Sequence, residues 1–213
     1  TRKTQTFDEY DRIVFQIQIY GGRSKIGANK ILRIEAERLI IRKFVLDDWK
    51  DLLEIAISKE QSQFADCDHT WPTDEEGIKG AVEYFSKEHQ FWAVEIKDLH
   101  KVVCLINFNF MDDEQTLDIG HVINSAYFGN DYEYEALKAL YNYGFIQLGA
   151  ERIQACWALN DKDKLAPLLK LGMKVTETGI TNKFRPDIDG RISQFESCKL
   201  IITKEEWLTN PAR

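Results

Sequence analysis

The chain of 213 residues carries 28 Lys and Arg against 35 Asp and Glu, which gives a formal net charge of −7 and a pI near 5.2. A protein of this length can bury about 70% of its unfolded surface, so it needs neither disulfides nor a metal to hold a core. Nucleic-acid binding depends on Lys and Arg that neutralise phosphates, so the acidic composition argues against it. The same charge suits a cationic substrate such as an amine, although many enzymes are acidic for solubility alone.

Membrane and metal sites are not expected either. The longest uninterrupted apolar runs are five residues, whereas a membrane-spanning helix needs roughly 20. Residues 1–20 mix acids with alternating polar and apolar side chains, unlike a secretory signal, so we expect a cytoplasmic protein. Four histidines without clustered spacing predict no structural zinc. Cys104, Cys156 and Cys198 lie in apolar strand-like runs and are expected to be reduced, buried thiols.

The first 30 residues differ from the rest of the chain. Residues 11–20 alternate apolar side chains with Arg and Gln, a pattern typical of a half-buried strand, and Gly21 and Gly22 then break it. Residues 1–30 are therefore predicted to be an N-terminal extension. The extension could add an edge strand or serve as the arm of a homodimer, and nothing in the local sequence decides between these.

Regular strand and helix patterns begin at residue 38. Apolar runs bounded by turn residues predict strands at residues 38–43, 90–96, 102–110, 116–123, 152–158, 174–184 and 192–202. Apolar side chains at helical spacing predict helices at residues 46–60, 73–87, 132–148 and 164–171. The second helix begins at a capping box with Thr73 as the cap and Glu76 three residues later. Gly149 and Gly172 follow the last two helices, where glycine commonly ends a helix.

The connections between these elements set the predicted topology. The turns between the strands at 90–96, 102–110 and 116–123 are so short that these strands must be antiparallel. The strand–helix–strand step from Thr116 to Ala158 is a right-handed crossover, so its two strands should be parallel. The sequence therefore predicts an α/β (α+β) fold with one mixed, mostly antiparallel sheet of about seven strands and helices on both faces.

One junction in this pattern is a candidate anion site. The strand that ends at Ile123 leads through a short segment into the long helix that begins at Tyr132. The first N–H groups of a helix have no partner within the helix, and together with the helix dipole they attract anions. The sequence therefore predicts an anion-binding site at the start of this helix.

Short motifs at residues 37–42 (ERLIIR), 118–123 (DIGHVI), 149–153 (GAERI) and 170–173 (KLGM) occur in an order and at a spacing found in one known family. With Glu135, Ala136 and Leu137 on the long helix and Asn160 beyond it, residues 38–202 resemble the GCN5-related N-acetyltransferases (GNAT). The branch that acts on ribosomal-protein N-termini is the most similar. The resemblance implies a GNAT-like domain at residues 31–213. It also implies direct transfer of an acetyl group from acetyl-CoA to a primary amine, either a protein N-terminus or a small amine.

The resemblance also implies where acetyl-CoA binds. Its pantetheine arm would lie against the backbone of Val122 and Ile123, near Asn160, in the notch between the two parallel strands. Its diphosphate would bind the backbone amides of the loop that opens the long helix, formed by Phe128, Gly129, Asn130, Asp131, Tyr132 and Glu133. Glycines in such a loop let the backbone approach the phosphates closely.

The loop departs from the family pattern. Phe128 stands where Gln or Arg is usual, Asp131 where Gly is usual, and Glu133 where Gly or Ala is usual. A carboxylate about 4 Å from a phosphate costs on the order of 1 kcal/mol in water and about 4 kcal/mol near a protein surface. The same acids are expected to cap the helix dipole themselves. Residues 160–164 (NDKDK) also lack the Ser that the family often has near the departing thiolate. The alternative prediction is therefore a GNAT-fold binding or regulatory module with weak or no acetyl transfer.

Each remaining candidate residue has a functional and a structural interpretation. Asp118 lies where this branch often has an acid and is a candidate catalytic base, although a strand residue here could simply face solvent. His121 is a second catalytic candidate, because its ordinary pKa of about 6.5 suits proton transfer, but it could also be a packed histidine. Asp66, Asp68 and Trp71 precede the second helix and could bind a cationic amine, or they could belong to a solvated loop.

Overall fold

The computed structural model describes residues 33–111, 113–187 and 189–211. They form one eight-stranded sheet in the order β1-β2-β3-β4-β5-β6-β8-β7. The strands are β1 (Arg33–Glu35), β2 (Leu39–Arg42), β3 (Phe91–Ile96), β4 (Lys101–Phe110), β5 (Thr116–Ile123), β6 (Arg152–Ala158), β7 (Lys174–Asn182) and β8 (Gln194–Thr203). Neighbouring strands are antiparallel except β5 and β6, which are parallel. The predicted mixed sheet and its parallel pair are confirmed.

Four helices connect these strands in the predicted order, and a further helix, which was not predicted, follows β8 in the described residues. They are α1 (Trp49–Glu60), α2 (Glu75–Lys87), α3 (Tyr132–Asn142), α4 (Lys162–Lys170) and α5 (Lys204–Leu208). A 3-10 turn at Leu46–Asp48 precedes α1, and a π-helical turn at Tyr143–Leu148 continues α3. The helix predicted over 132–148 is therefore regular only as far as Asn142.

Element ends are where the predictions were wrong. The sheet has one strand more than predicted, β1. This strand is only three residues long, which is too short to give a recognisable alternating pattern in the sequence. The N-cap of α2 is Asp74 rather than Thr73, and its carboxylate accepts the N–H of Gly77 at 2.9 Å. Asp caps a helix as well as Thr does. Similarly, α4 begins two residues early because Asp161 caps it.

Helices cover both faces of the sheet, as predicted. One core contains apolar side chains of α3, α4 and α5 with Leu117, Ile119 and Ile123 of β5. The other contains side chains of α1 and α2 with Val122 of the same strand. Successive residues of a strand point to opposite faces, so β5 takes part in both cores. Its even-numbered side chains face α1 and α2, and its odd-numbered side chains face α3.

The remaining expectations concern cysteines, membranes, metals and the first residues. Cys104 and Cys198 are buried, but Cys156 is exposed, so its predicted burial was wrong. Its neighbour Ala155 is buried, which places Cys156 on the opposite, more open side of β6. Within the described ranges, every helix is too short or too polar to cross a bilayer. The same residues include no group of three or more His, Cys, Asp or Glu arranged for a metal ion. The predicted N-terminal extension lies outside the described residues.

Candidate active site

The candidate site begins where β5 and β6 separate. The two strands pair at three positions, Thr116 with Arg152, Leu117 with Ile153, and Asp118 with Gln154. β5 continues to Ile123 and β6 to Ala158, but no further pair joins them in the part of the chain that the structure describes. A notch therefore lies between the two strands, with Asp118 at its apex.

The main chain of β5 directs hydrogen-bonding groups into this notch at every second residue. The carbonyl of Thr116 and the N–H of Asn124 bond to the β4 side, whereas the carbonyl of Gln115 accepts from the first residue of β6. Alternate residues of a strand direct their N–H and C=O groups to the same neighbour. The main-chain N–H and C=O groups of even-numbered residues therefore point to β4, and those of His121 and Ile123 point into the notch.

The predicted cofactor residues Val122 and Asn160 lie on the two sides of the notch. The main-chain groups of Val122 face β4 by this alternation, and its contact with the pantetheine arm stays a prediction. Asn160 lies between the end of β6 and α4, and its carbonyl accepts the N–H of Lys162 at 3.0 Å. Ile123 and Asn160 therefore flank the open end of the notch, while Val122 packs behind it.

Lys164 donates a hydrogen bond to one of the main-chain carbonyls that face the notch. From the first turn of α4 its Nζ donates to the carbonyl oxygen of His121 at 2.9 Å and lies 3.5 Å from Oε1 of Glu133. The ammonium is also 5.6 Å from the centroid of the Trp157 ring, within the range of a cation–π contact. Sequence reasoning missed this residue, because a lysine in a run of charged residues gives no sign of being turned inward.

His121 and Glu133 form a buried pair beside Lys164. Nδ1 of His121 is 2.7 Å from Oε1 of Glu133, and the two side chains are 0% and 11% exposed. Burial lowers the pKa of His121 more than Glu133 raises it, so the ring is neutral and donates its Nδ1–H. Burial alone would raise the pKa of Glu133, but Lys164 and His121 together hold it below its ordinary value. His121 is thus packed on the α3 side, and its Nε2 has no hydrogen-bond partner among the described residues.

The start of α3 is not capped by the acids of its own loop. Asp131 is the N-cap residue, yet within the described chain its carboxylate makes no capping hydrogen bond. Its Oδ1 instead accepts from Nζ of Lys170 at 2.9 Å. A side chain that caps a helix belongs to a residue with extended backbone, whereas Asp131 has a φ of +59°. Asp131 therefore makes no capping hydrogen bond and Glu133 bonds to His121, although both acids lie at the start of α3, where the helix dipole favours negative charge.

Arg38 holds this loop from the side of β2. Its Nε donates to Oε2 of Glu135 at 2.7 Å, and its Nη1 donates to the carbonyl of Asn130 at 3.0 Å. The guanidinium lies 4.7 Å from the centroid of the Tyr132 ring. Gly129 has a φ of +78°, a conformation that glycine adopts without steric cost. These contacts tie the backbone of the loop and the first turn of α3 to the start of β2.

A cleft of about 240 Å³ opens at the start of α3. Ile123, Phe128, Asp131 and Glu133 form one side of it, and Pro167 and Lys170 of α4 form the other. Gly129 and Tyr132 also line the cleft, whereas the side chain of Asn130 donates to the carbonyl of Tyr127. The structure therefore brings most of the predicted loop together with Ile123 in one concave site that adjoins the notch. Aromatic side chains and uncapped amides make this site suitable for a ligand with an anionic group and an apolar portion.

Asp118 lies on the opposite face of the sheet from α3. Its half-buried carboxylate accepts from Nε2 of Gln154 at 3.1 Å. Burial raises the pKa of Asp118, and Gln154 and Lys199 only partly offset this. A carboxylate whose pKa is raised toward neutrality is a better general base. A second cleft, of about 360 Å³, lies on this face beside Gln154 and is lined by Arg152 and Lys199.

The loop between α1 and α2 contains the predicted acceptor residues Asp66, Asp68 and Trp71. Asp66 lies 3.4 Å from Nζ of Lys183, in the connection between β7 and β8, and Asp68 lies 3.5 Å from Nζ of Lys59. Both carboxylates are therefore already paired with lysines. The structure does not bring these residues into contact with Asp118, and their role in binding an amine stays a prediction.

A second contact between the α1–α2 region and the β7–β8 connection was not predicted from the sequence. Arg185 donates from Nη1 and Nη2 to the two carboxylate oxygens of Glu60, at 2.7 and 2.9 Å. Burial alone would raise the pKa of Glu60, but Arg185 and its other donors hold it below its ordinary value. The residues are 125 positions apart, so no local motif could have indicated the pair. It joins the end of α1, which packs on the side of the sheet to which Val122 points, to the β7–β8 connection.

Comparison with known proteins places this geometry in a family. The profile of the acetyltransferase (GNAT) domain matches residues 38–174, more than half of the chain. The uncharacterized N-acetyltransferase YnaD of Bacillus subtilis is 26% identical over 144 residues, which are 67% of this chain and 83% of that protein.

Two solved structures show the same fold. A GNAT-family acetyltransferase from Bacillus anthracis is 26% identical with a TM-score of 0.69, over 82% of this chain and 99% of that one. A ribosomal-protein-S5-alanine acetyltransferase from Vibrio fischeri is 16% identical with a TM-score of 0.65, over 83% of this chain and 99% of that one. The predicted resemblance is confirmed: the chain belongs to the GNAT acetyltransferase family.

Proposed function

We propose that the protein transfers an acetyl group from acetyl-CoA to a primary amine. The observation that carries this proposal is the uncapped start of α3, which opens onto a concave cleft beside the notch between β5 and β6. Anions bind at helix starts because unpaired N–H groups and the helix dipole both favour negative charge. Membership of the acetyltransferase family supports the same ligand.

The residues present fit acetyl-CoA both in the cleft at the start of α3 and in the notch between β5 and β6. The backbone amides of the loop from Phe128 to Glu133 would hold the diphosphate, because the acids of the loop are bonded elsewhere, to Lys170 and His121. The notch-facing main chain of His121 and Ile123 would hold the pantetheine arm, with Asn160 across from them. Acetyl-CoA would supply an acyl thioester that is already activated toward an amine.

Asp118 is the residue that we propose removes the proton of the attacking amine. It lies at the apex of the notch, on the face that the two linked connections border. Its raised pKa suits a base that must both accept and release a proton. His121 is a weaker candidate for this role, because its side chain is fully buried on the α3 side and bonded to Glu133.

The acceptor is an amine whose identity rests on analogy. Among the similar structures is an acetyltransferase that acts on the alanine of ribosomal protein S5, and a protein N-terminus is the acceptor that we propose first. A small amine is the alternative. The prediction of a cytoplasmic protein is compatible with either acceptor.

One observation favours a second function, a GNAT-fold binding module without transfer. Lys164 donates to the His121 carbonyl in the notch, where a pantetheine arm would need hydrogen bonds. If this contact were permanent, the arm could not bind there. The fold would then serve recognition rather than catalysis.

Thermal unfolding with and without acetyl-CoA tests the enzyme proposal. Ligand at 100 times its dissociation constant stabilises a protein by about 2.7 kcal/mol, a readily measured rise in melting temperature. We expect this rise, together with release of free thiol when peptides with free N-termini or small amines are added. The absence of any rise at millimolar acetyl-CoA would contradict the proposal, and a rise without thiol release for any amine would favour the binding module.

A further inference from the structure

The notch between β5 and β6 already contains a hydrogen-bond donor of the protein itself. His121 directs its carbonyl toward β6, but pairing with β6 ends at Asp118. Nζ of Lys164 supplies the missing donor at 2.9 Å. A buried carbonyl without a donor is costly, so this lysine has a structural reason to be there.

The surroundings of Lys164 favour this position over solvent. Its side chain is 14% exposed and lies next to that of Glu133, which is 11% exposed. The cap that Asp161 provides to the N–H of Lys164 fixes the backbone from which the side chain extends. By contrast Lys162, two residues earlier on the same helix, is exposed. Only one of these two lysines therefore belongs to the notch.

We propose that Lys164 competes with the pantetheine arm of acetyl-CoA for the carbonyl of His121, so that the arm binds only when Lys164 leaves it. The inference rests on the proposed function, since the arm is that of the proposed ligand. An arm that carries amide N–H groups offers the same kind of donor as Lys164 does. The carbonyl oxygen has two lone pairs, but Lys164 lies on the side of it that faces Trp157 of β6, so an arm that enters between the strands must displace the lysine. Glu133 can keep the displaced ammonium nearby, which makes the exchange reversible.

Calorimetric titration with two ligands separates this competition from a general charge effect. Coenzyme A contains both the diphosphate and the arm, whereas 3′-phospho-ADP contains the diphosphate without the arm. The test variant is the double substitution Lys164→Met with Glu133→Gln, because removing the lysine alone would leave the buried Glu133 carboxylate with no cation beside it. The controls are Lys162→Met, which removes the same charge from the same helix, and Glu133→Gln alone.

We expect the double variant to bind coenzyme A about tenfold more tightly than the wild type does, because a hydrogen bond from a charged donor no longer has to be broken. Binding of 3′-phospho-ADP should differ less than twofold between the double variant and Glu133→Gln alone, because both variants carry the same change in the proposed diphosphate loop. Lys162→Met should leave both ligands unaffected. Lys164→Gln combined with Glu133→Gln, which keeps a polar side chain at both positions, provides the same comparison if the first double variant does not fold.

Two results would overturn the inference. Equal changes for both ligands would mean that Lys164 acts through charge alone, and unchanged coenzyme A affinity would mean that Lys164 and the arm do not meet. If neither ligand bound the wild type or any variant, the proposed function would fail as well. If 3′-phospho-ADP bound while coenzyme A affinity did not respond to Lys164, only the competition would be rejected.

Discussion

Replacing Asp131 with glycine tests whether a diphosphate binds at the start of α3. The substitution removes a carboxylate from the loop, and it releases Lys170 from an ion pair of 2.9 Å. It also gives the left-handed backbone at φ +59° the residue that adopts it without steric cost. The expected result is tighter binding of coenzyme A with little change in stability.

The structure sets the size of both effects. The ion pair contributes about 0–1 kcal/mol, because its side chains are 62% and 50% exposed. Relief of the left-handed conformation gives back about 1 kcal/mol, so the free energy of unfolding should stay within about 1 kcal/mol of the wild type. A carboxylate near a phosphate at a protein surface costs up to about 4 kcal/mol. Partial neutralisation by Lys170 reduces this to about 1.4 kcal/mol, or roughly tenfold in affinity.

Calorimetric titration of coenzyme A into three variants provides the assay. Asp131→Asn removes the charge and tolerates the same backbone, so it should reproduce most of the gain of Asp131→Gly. Glu151→Gln removes an equally exposed charge next to β6, beyond the opposite end of the helix, and should have no effect. Unchanged affinity in both Asp131 variants would refute the placement of the diphosphate at this helix start.

The other predictions concern the proposed base, the linked connections and the core. Asp118→Asn should lower the turnover number by 10²-fold or more without weakening acetyl-CoA binding. The same variant should melt higher than the wild type at pH 7. The pKa of Asp118 is raised in the folded protein, so ionised Asp118 destabilises the fold. The difference in melting temperature between the variant and the wild type should therefore vanish as the pH falls below about 3.8, where Asp118 is protonated in both the folded and the unfolded state. Arg185→Met should destabilise the protein by about 1–3 kcal/mol and raise the KM of the amine with the Kd of acetyl-CoA unchanged; a raised Kd would contradict the separation of the two faces. Gly144→Ala should lower the melting temperature through a loss of about 1–3 kcal/mol, because an added Cβ would lie 2.6 Å from Phe108. Gly179→Ala, with open space around it, is the control, and equal melting temperatures would show that the core adapts at no cost.

The sequence predicted the order of strands and helices well, because apolar spacing and turn residues act over short distances. The strand–helix–strand step from Thr116 to Ala158 placed the parallel pair and the start of the long helix correctly. The errors lie at ends such as Asp74 and Asp161, where two neighbouring residues could cap equally well and only the final packing selects one.

The chemistry of the site was less accessible to sequence reasoning. Asp131 and Glu133 looked like charges facing a phosphate, and their actual partners, Lys170 and His121, come from elements that only the fold brings together. Lys164 gave no signal at all, since an inward-facing and an outward-facing lysine look alike in a charged segment. Spacing along the chain therefore located the site but not the direction of its side chains.

The central claim is that the first amides of α3 bind the diphosphate of acetyl-CoA. Titration of ¹⁵N-labelled protein with acetyl-CoA, followed by amide chemical shifts, tests it most directly. We expect the amide signals of Gly129, Asp131, Tyr132 and Glu133 to shift strongly and saturate together, while that of Gly179 in β7 does not move. Saturable binding that leaves these loop amides unshifted would contradict the account.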